Sequence, residues 1–222
     1  MCNSMLHEPA VALTDFGLAV EGIVLAWLLA RSTSRSSLRC WFIHFFISVA
    51  IAAALGGTVH GFIPDESTTS YAVLWRATLL AIGYTALAAA MAGVQLLRSS
   101  TVKKVAQAAA IAGVALYATV VIFFSQDFRN AIFAYVPCTV FLLVAFVLVW
   151  SRSRSRAALT GIAGMLLTFV AAGVQQSSLA LPALHLDHNA IYHIIQAVAF
   201  VLIFVAARAM AQHESRMPAL VH

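Results

Sequence analysis

Ser151-Arg152-Ser153-Arg154-Ser155-Arg156 holds three arginines and no apolar side chain, and it stands between two apolar runs, 131–150 and 157–181, that contain no charge. A helix needs about 20 apolar residues to cross the hydrocarbon core of a bilayer. Both runs reach that length, so the Ser/Arg stretch reads as a solvated turn between two spans. By the same measure seven segments qualify: 13–30, 40–62, 72–97, 105–125, 131–150, 157–181 and 189–211. The 222-residue chain is 62% hydrophobic and 9% charged, with mean hydropathy +0.93. Soluble domains carry about 45–50% apolar and about 25% charged residues, so lipid is the solvent here. The runs are long and continuous, which excludes the short alternating strands of a membrane barrel. No linker is long or polar enough for a second domain. The expected fold is all-α: a polytopic membrane protein whose residues 1–222 form a single bundle of seven transmembrane helices. Short connections make sequential helices antiparallel neighbours.

The basic residues predict an orientation. Eleven of the thirteen lie on one side: Arg31, Arg35 and Arg39; Arg98, Lys103 and Lys104; Arg152, Arg154 and Arg156; and Arg208 and Arg216. Only Arg76 and Arg129 fall toward the other, where Glu8, Asp65, Glu66, Asp127 and Asp187 also lie. Positive charge stays in the cytoplasm, which puts the N-terminus out and the C-terminus in, in a plasma membrane or bacterial inner membrane. The pI near 9.5 follows from topology and from attraction to anionic lipid headgroups. Membrane lipids are the expected partners, nucleic acid is not needed to explain the charge, and no protein partner is inferable. The flank before helix 1 has no Lys or Arg and the segment contains Asp15 and Glu21, unlike a secretory signal peptide. Cys2, Cys40 and Cys138 are isolated in sequence and support neither a disulfide framework nor a zinc knuckle. Small residues such as Ala52-Ala53-Ala54-Leu55-Gly56-Gly57, and those between Ala106 and Gly113, read as helix-packing surfaces. No regular repeat and no inverted pair of Gly/Pro-broken helices is visible.

Ionisable groups are costly inside a membrane and usually face the bundle interior with a task. The candidates here converge on the predicted outer half from five helices far apart in sequence: Asp15 and Glu21 on helix 1, His60 and Asp65 at the end of helix 2, Tyr71 and Arg76 on helix 3, Gln175-Gln176-Ser177-Ser178 at the end of helix 6, and His185, Asp187, His188, Asn189, Tyr192, His193 and Gln196 on helix 7. Asn189, His193 and Gln196 stand four and three residues apart and share one helix face. His188 and His193 are separated by about 140° around a regular helix, so both reach one metal only if His188 precedes the first regular turn. Asp187 is a plausible N-cap there. A catalytic zinc typically keeps three protein ligands and one water. His60, His193 and either His188 or His185 would supply such a set, with Asp65, Asp187 or Asp15 orienting a ligand or serving as base on the bound water. The bland alternatives are a helix cap for His60, loop residues for His185 and His188, an Asp15 or Glu21 pair with Arg76, and a helix-helix hydrogen bond for His44.

Seven helices, an outer N-terminus, a His at the end of helix 2 and a His pair opening helix 7 resemble the superfamily of alkaline ceramidases, adiponectin-receptor-like proteins and related lipid-remodelling proteins. In that family a Ser-x-x-x-His on helix 2 and a His-x-x-x-His on helix 7 hold zinc, an Asp assists, and the zinc-bound water cleaves a lipid amide or ester. The resemblance implies that His60 and His193 are ligands, with zinc as cofactor. The Ser position is Gly56 here, the first of the helix 7 pair is Asn189 with His188 one residue early, and Asp65 precedes the place of the family Asp. The leading expectation is a zinc-dependent hydrolase of a lipid amide or ester with His60, His188 and His193 as ligands and Asp65 and Asp15 as catalytic carboxylates. Glu21, Arg76, Asp187, Asn189, Tyr192 and Gln196 would line or support the site. The alternatives are a non-enzymatic receptor, sensor or small-molecule binder using the same pocket, and an ion- or proton-coupled carrier. Helix 7 carries no Lys, which argues against a retinal protein.

Overall fold

The computed structural model describes residues 6–33, 35–177, 180–181 and 186–216, with side chains described as far as 212. Among these residues there are seven helices: α1 Pro9–Ala30, α2 Ser37–Phe62, α3 Thr69–Leu96, α4 Ser100–Phe123, α5 Phe128–Ser153, α6 Arg156–Gln176 and α7 His188–Arg216. Each is long and apolar enough to cross a membrane, as a multi-pass membrane protein requires.

The polar connections supply the helix starts. Ser36, Thr68, Ser99, Asp127 and Ser155 each accept a hydrogen bond from a first-turn N–H of α2 to α6, and Asp187 Oδ1 accepts from Ala190 N at 2.8 Å at the start of α7. These are the residue types that satisfy a helix's orphan amides. The α1 start differs. Pro9 opens it without a donor to satisfy, which leaves the Glu8 carboxylate free to turn elsewhere. The Ser/Arg stretch is tighter than its composition suggests, since only Arg154 and Ser155 separate α5 from α6. Arg154 turns the corner in the left-handed conformation at φ 52, and its guanidinium lies 4.6 Å from the centre of the Trp150 ring. Arg31 sits over Trp27 in the same way, at 4.2 Å. Arg and Trp together at a helix end suit an interfacial position.

Helix α6 is shorter than expected, ending at Gln176 instead of near 181. The Ser177 N–H bonds back to Gly173 O and Val174 O, which tightens and closes the last turn. Leu181 and Leu186 then pair through their backbones, at 2.8 and 3.3 Å.

Every helix touches its sequence neighbours, α1 meets α7 to close the bundle, and α3 packs directly on α5. Helix α4 is thereby pushed to the outside, in contact with α3 and α5 alone. Only Tyr117 and Val121 of α4 are buried. Its small residues therefore do not pack the bundle as the sequence suggested: a side chain at Gly113 would meet nothing within 4 Å. Tyr117 anchors it beside Val121, fitting its ring against Gly83 and donating to Leu79 O at 2.8 Å.

The interior is filled unevenly. Toward the end where the basic connections lie, Phe42, Phe45, Phe46, Phe146 and Phe200 interlock in edge-to-face and stacked pairs, a geometry favoured by ring quadrupoles. Further along the inward face of α2 the residues become Ala52, Ala53 and Gly56. Lipid supplies no hydrophobic force between helices, so packing contacts alone hold them, and the small side chains leave volume unfilled at the end opposite the basic connections.

Candidate functional site: a polar-walled cavity

That unfilled volume is a cavity of about 320 Å³ with lining residues on every helix but α4. Its deeper walls are apolar, with Leu18, Val49, Ile82 and Phe200 among them. Threonines of α3 and α6 and glutamines of α6 also reach the cavity, and its ionisable wall is built by α1 and α7.

On α1, Thr14 and Asp15 straddle His193 of α7. Thr14 Oγ1 lies 2.8 Å from Ala10 O and 3.0 Å from Val11 O, so its single hydrogen goes to the helix backbone. It must then accept at 2.9 Å from His193 Nδ1, which fixes a proton on that nitrogen. His193 Nε2 faces Asp15 Oδ1 at 3.2 Å. With Nδ1 already protonated, this second contact is favourable only if one proton lies between Nε2 and Oδ1. The two side chains, 9% and 6% exposed, thus form a buried pair sharing one proton. Space for the carboxylate comes from α2. A Cβ at Gly56 would stand 3.3 Å from Asp15 Oδ2, and one at Gly57 would stand 3.0 Å from Asp15 Cβ and 3.2 Å from Ala12 O.

The shared face on α7 is present as its spacing required. Asn189, His193, Gln196 and Phe200 all line the cavity, joined by Tyr192. Gln196 is 1% exposed. Its Nε2 donates to Thr168 Oγ1 at 3.1 Å, while its Oε1 is buried with no partner. Asn189 Oδ1 accepts from Gln175 Nε2 at 3.3 Å.

His60 lines the cavity but turns Nδ1 to Glu8 Oε2 at 2.6 Å, the carboxylate that α1 did not need as a cap. Backbone bonds from His7 N to Gly61 O and from Glu8 N to His60 O hold residues 7 and 8 as a strap across the end of α2. Trp75 meets the His60 ring edge-on at 6.3 Å.

Several expected site residues lie elsewhere. Asp65 is exposed in the α2–α3 connection and accepts from Ser67 N and Oγ at 2.9 and 2.6 Å. These bonds hold its carboxyl below the usual range, and it does not line the cavity. Asp187 caps α7 and His188 is the first helical residue, both off the cavity wall. Arg76 pairs with neither Asp15 nor Glu21. With the Gln126 amide oriented to satisfy both its ends, Arg76 Nη2 donates to Gln126 at 2.6 Å. Glu21 does not line the cavity, and its Oε1 is buried without a partner. His44 bonds Tyr84 OH through Nδ1 at 3.0 Å, a helix-helix link as expected. His185 lies outside the described residues. Gln175 and Gln176, the polar end of helix 6, line the cavity, whereas Thr14, Glu8, Thr168 and Tyr135 were not singled out by sequence. The one signal available was the adjacency of Thr14 to Asp15 in an otherwise apolar run.

The zinc set implied by the resemblance does not fit this arrangement. Among the described residues no three His, Cys, Asp or Glu side chains converge on a point a metal could occupy. Both ring nitrogens of His193 are committed to Thr14 and Asp15, and His60 Nδ1 is committed to Glu8.

A family model described as a family of unknown function (DUF6962) matches residues 10–212. No curated protein and no solved structure matches the chain.

Proposed function

We propose that this chain, which belongs to the DUF6962 family, is a non-enzymatic membrane receptor or binder whose cavity receives a small molecule with an apolar body and a hydrogen-bonding head. The supporting observation is the cavity itself. A concave, largely apolar volume with a few convergent polar groups is the default form of a ligand site, and this one places the Asp15–His193 pair and the unpartnered Gln196 Oε1 on one wall. A hydrolase would need an activated nucleophile or metal-bound water beside those groups. Thr14, the hydroxyl in contact with His193, spends its hydrogen on a backbone carbonyl and does not line the cavity.

The test is to fill the space. Ala52→Phe places a ring in the cavity from α2 and is expected to abolish ligand retention, read by native mass spectrometry of purified protein, with thermal stability retained. Retention of the same ligand by the filled variant overturns the proposal, as does stoichiometric zinc in wild-type protein purified without chelator.

The orientation that accompanies this reading has the cavity opening outside. A reporter fused after His222 is expected in the cytoplasm and one inserted between residues 64 and 70 outside, because eleven of thirteen basic residues lie at the opposite end. Protease protection in sealed vesicles reads the result, and both reporters on one side would overturn it.

A further inference from the structure

We propose that the ligand of this cavity is an organic amine, bound as an ammonium in exchange for the proton shared by Asp15 and His193. This rests on the ligand-binding reading above and specifies the ligand's chemistry.

Charge is the first observation. The lining contains one carboxylate, Asp15, and neither Lys nor Arg, so a carboxylate or phosphate head would have no fixed cation to meet it. Hydrogen-bond accounting is the second. Three threonines line the cavity, and each spends its hydrogen inside the protein: Thr78 on Leu74 O at 2.9 Å, Thr168 on Gly164 O at 3.1 Å, and Thr85 on Ala81 O or Ser48 Oγ at 3.0 or 2.9 Å. Toward a ligand these hydroxyls can only accept. Gln196 Oε1 is likewise an acceptor, buried and unpartnered. The lining groups that still hold donors, the amides and tyrosines, can also accept. Such a wall asks for a head group that donates several hydrogen bonds and accepts none, which describes an ammonium. Aromatic surface is the third observation: Trp75, Phe128, Tyr135, Tyr192 and Phe200 all line the cavity, and ring faces attract cations.

The proton count completes the exchange. The Asp15–His193 pair carries one proton and no net charge. An arriving ammonium on top of it would leave a buried net positive charge, which is costly. Instead the proton between His193 Nε2 and Asp15 Oδ1 leaves to solvent. His193 stays neutral with Nδ1–H on Thr14, and the ammonium bonds to the freed Asp15 carboxylate. One positive charge enters and one leaves. The other titratable groups lining the cavity are His60, already bonded to Glu8, and the two phenols Tyr135 and Tyr192. Helices α3 and α6 contribute no titratable group to the lining.

The measurement is titration calorimetry on the purified full-length chain with three probes of similar shape: phenethylamine, phenethyl alcohol and phenylacetate. Phenethylamine is expected to bind at least about ten-fold tighter than the alcohol, with phenylacetate weakest. In buffers of different ionisation enthalpy, amine binding should release about one proton per site, and its affinity should therefore rise roughly ten-fold per pH unit, while alcohol binding stays flat. Asp15→Asn should lower amine affinity to that of the alcohol and end proton release. Alcohol binding by the variant reports that the cavity is intact. Asp65→Asn, outside the cavity, should behave as wild type. Equal binding of amine and alcohol, or amine binding with no proton released, overturns the exchange and leaves the ligand-binding reading standing. Failure of all three probes overturns both.

Discussion

Replacing His193 by Ala is expected to destabilise the folded protein by about 3–5 kcal/mol, the usual effect of removing one partner of a buried ionic pair. The value is large because Asp15, 6% exposed, is seated against Gly56 and Gly57 of α2, and His193 is the only ion-pair partner it has among the described residues. Thr14 Oγ1 would lose the imidazole as well, a smaller effect because that hydroxyl keeps its bond to Ala10 O. Unfolding in detergent, followed as the shift in midpoint, checks it. The double variant Asp15→Asn with His193→Ala should recover more than half of the loss, since the unpaired acid is then gone. If the single and double variants were equally destabilised, the pair would be a packing contact without proton sharing.

Effects of opposite sign are expected at Gly22 and Gly17, five residues apart on the same helix. A Cβ at Gly22 would stand 2.8 Å from Phe46 O, 3.0 Å from Ala50 Cβ and 3.2 Å from Ala50 N. Two of those atoms are backbone of α2 and cannot move aside alone, so Gly22→Ala must separate α1 from α2. Overpacking of this kind costs about 1–3 kcal/mol. The separation should also lift Asp15 from its seat on Gly56 and Gly57 and so weaken ligand binding. At Gly17 nothing lies within 4 Å, and Ala there should gain up to about 1 kcal/mol from helix propensity. Thermal unfolding of the two variants beside wild type makes the comparison. Equal midpoints would mean that α1 and α2 do not approach as closely as Gly22 allows.

The extent to which all this was legible in the sequence differs by kind of information. Spans were legible because length and charge spacing are local properties. The turn within residues 151–156 and the cap at Asp187 followed from residues within a few positions of each other. The α7 face of Asn189, His193 and Gln196 followed from periodicity. Partners were not legible. His193 meets Thr14 and Asp15 across nearly the whole chain, and nothing in the sequence distinguished Asp15 from Glu21 or Arg76 as its neighbour. Asp65 looked like a site residue because it follows His60 by five positions, yet helix α2 ends between them and the carboxylate turns to Ser67. The small residues of α2 and α4 look alike in composition, and only the direct packing of α3 on α5 decides that one set faces a cavity and the other faces outward.

That outward placement of α4 has a bearing on how such a chain diverges over generations. Selection can act on α4 through little more than its hydropathy and the fit of Tyr117 against Gly83. Neutral drift is therefore free to exchange one aliphatic side chain for another along most of its length, while α1, α2 and α7 remain constrained position by position. Two distant descendants of one ancestor would then preserve the cavity and its proton-sharing pair yet lose recognisable identity in α4, and their kinship would be traced through the walls of the cavity and not through the lipid-facing helix beside it.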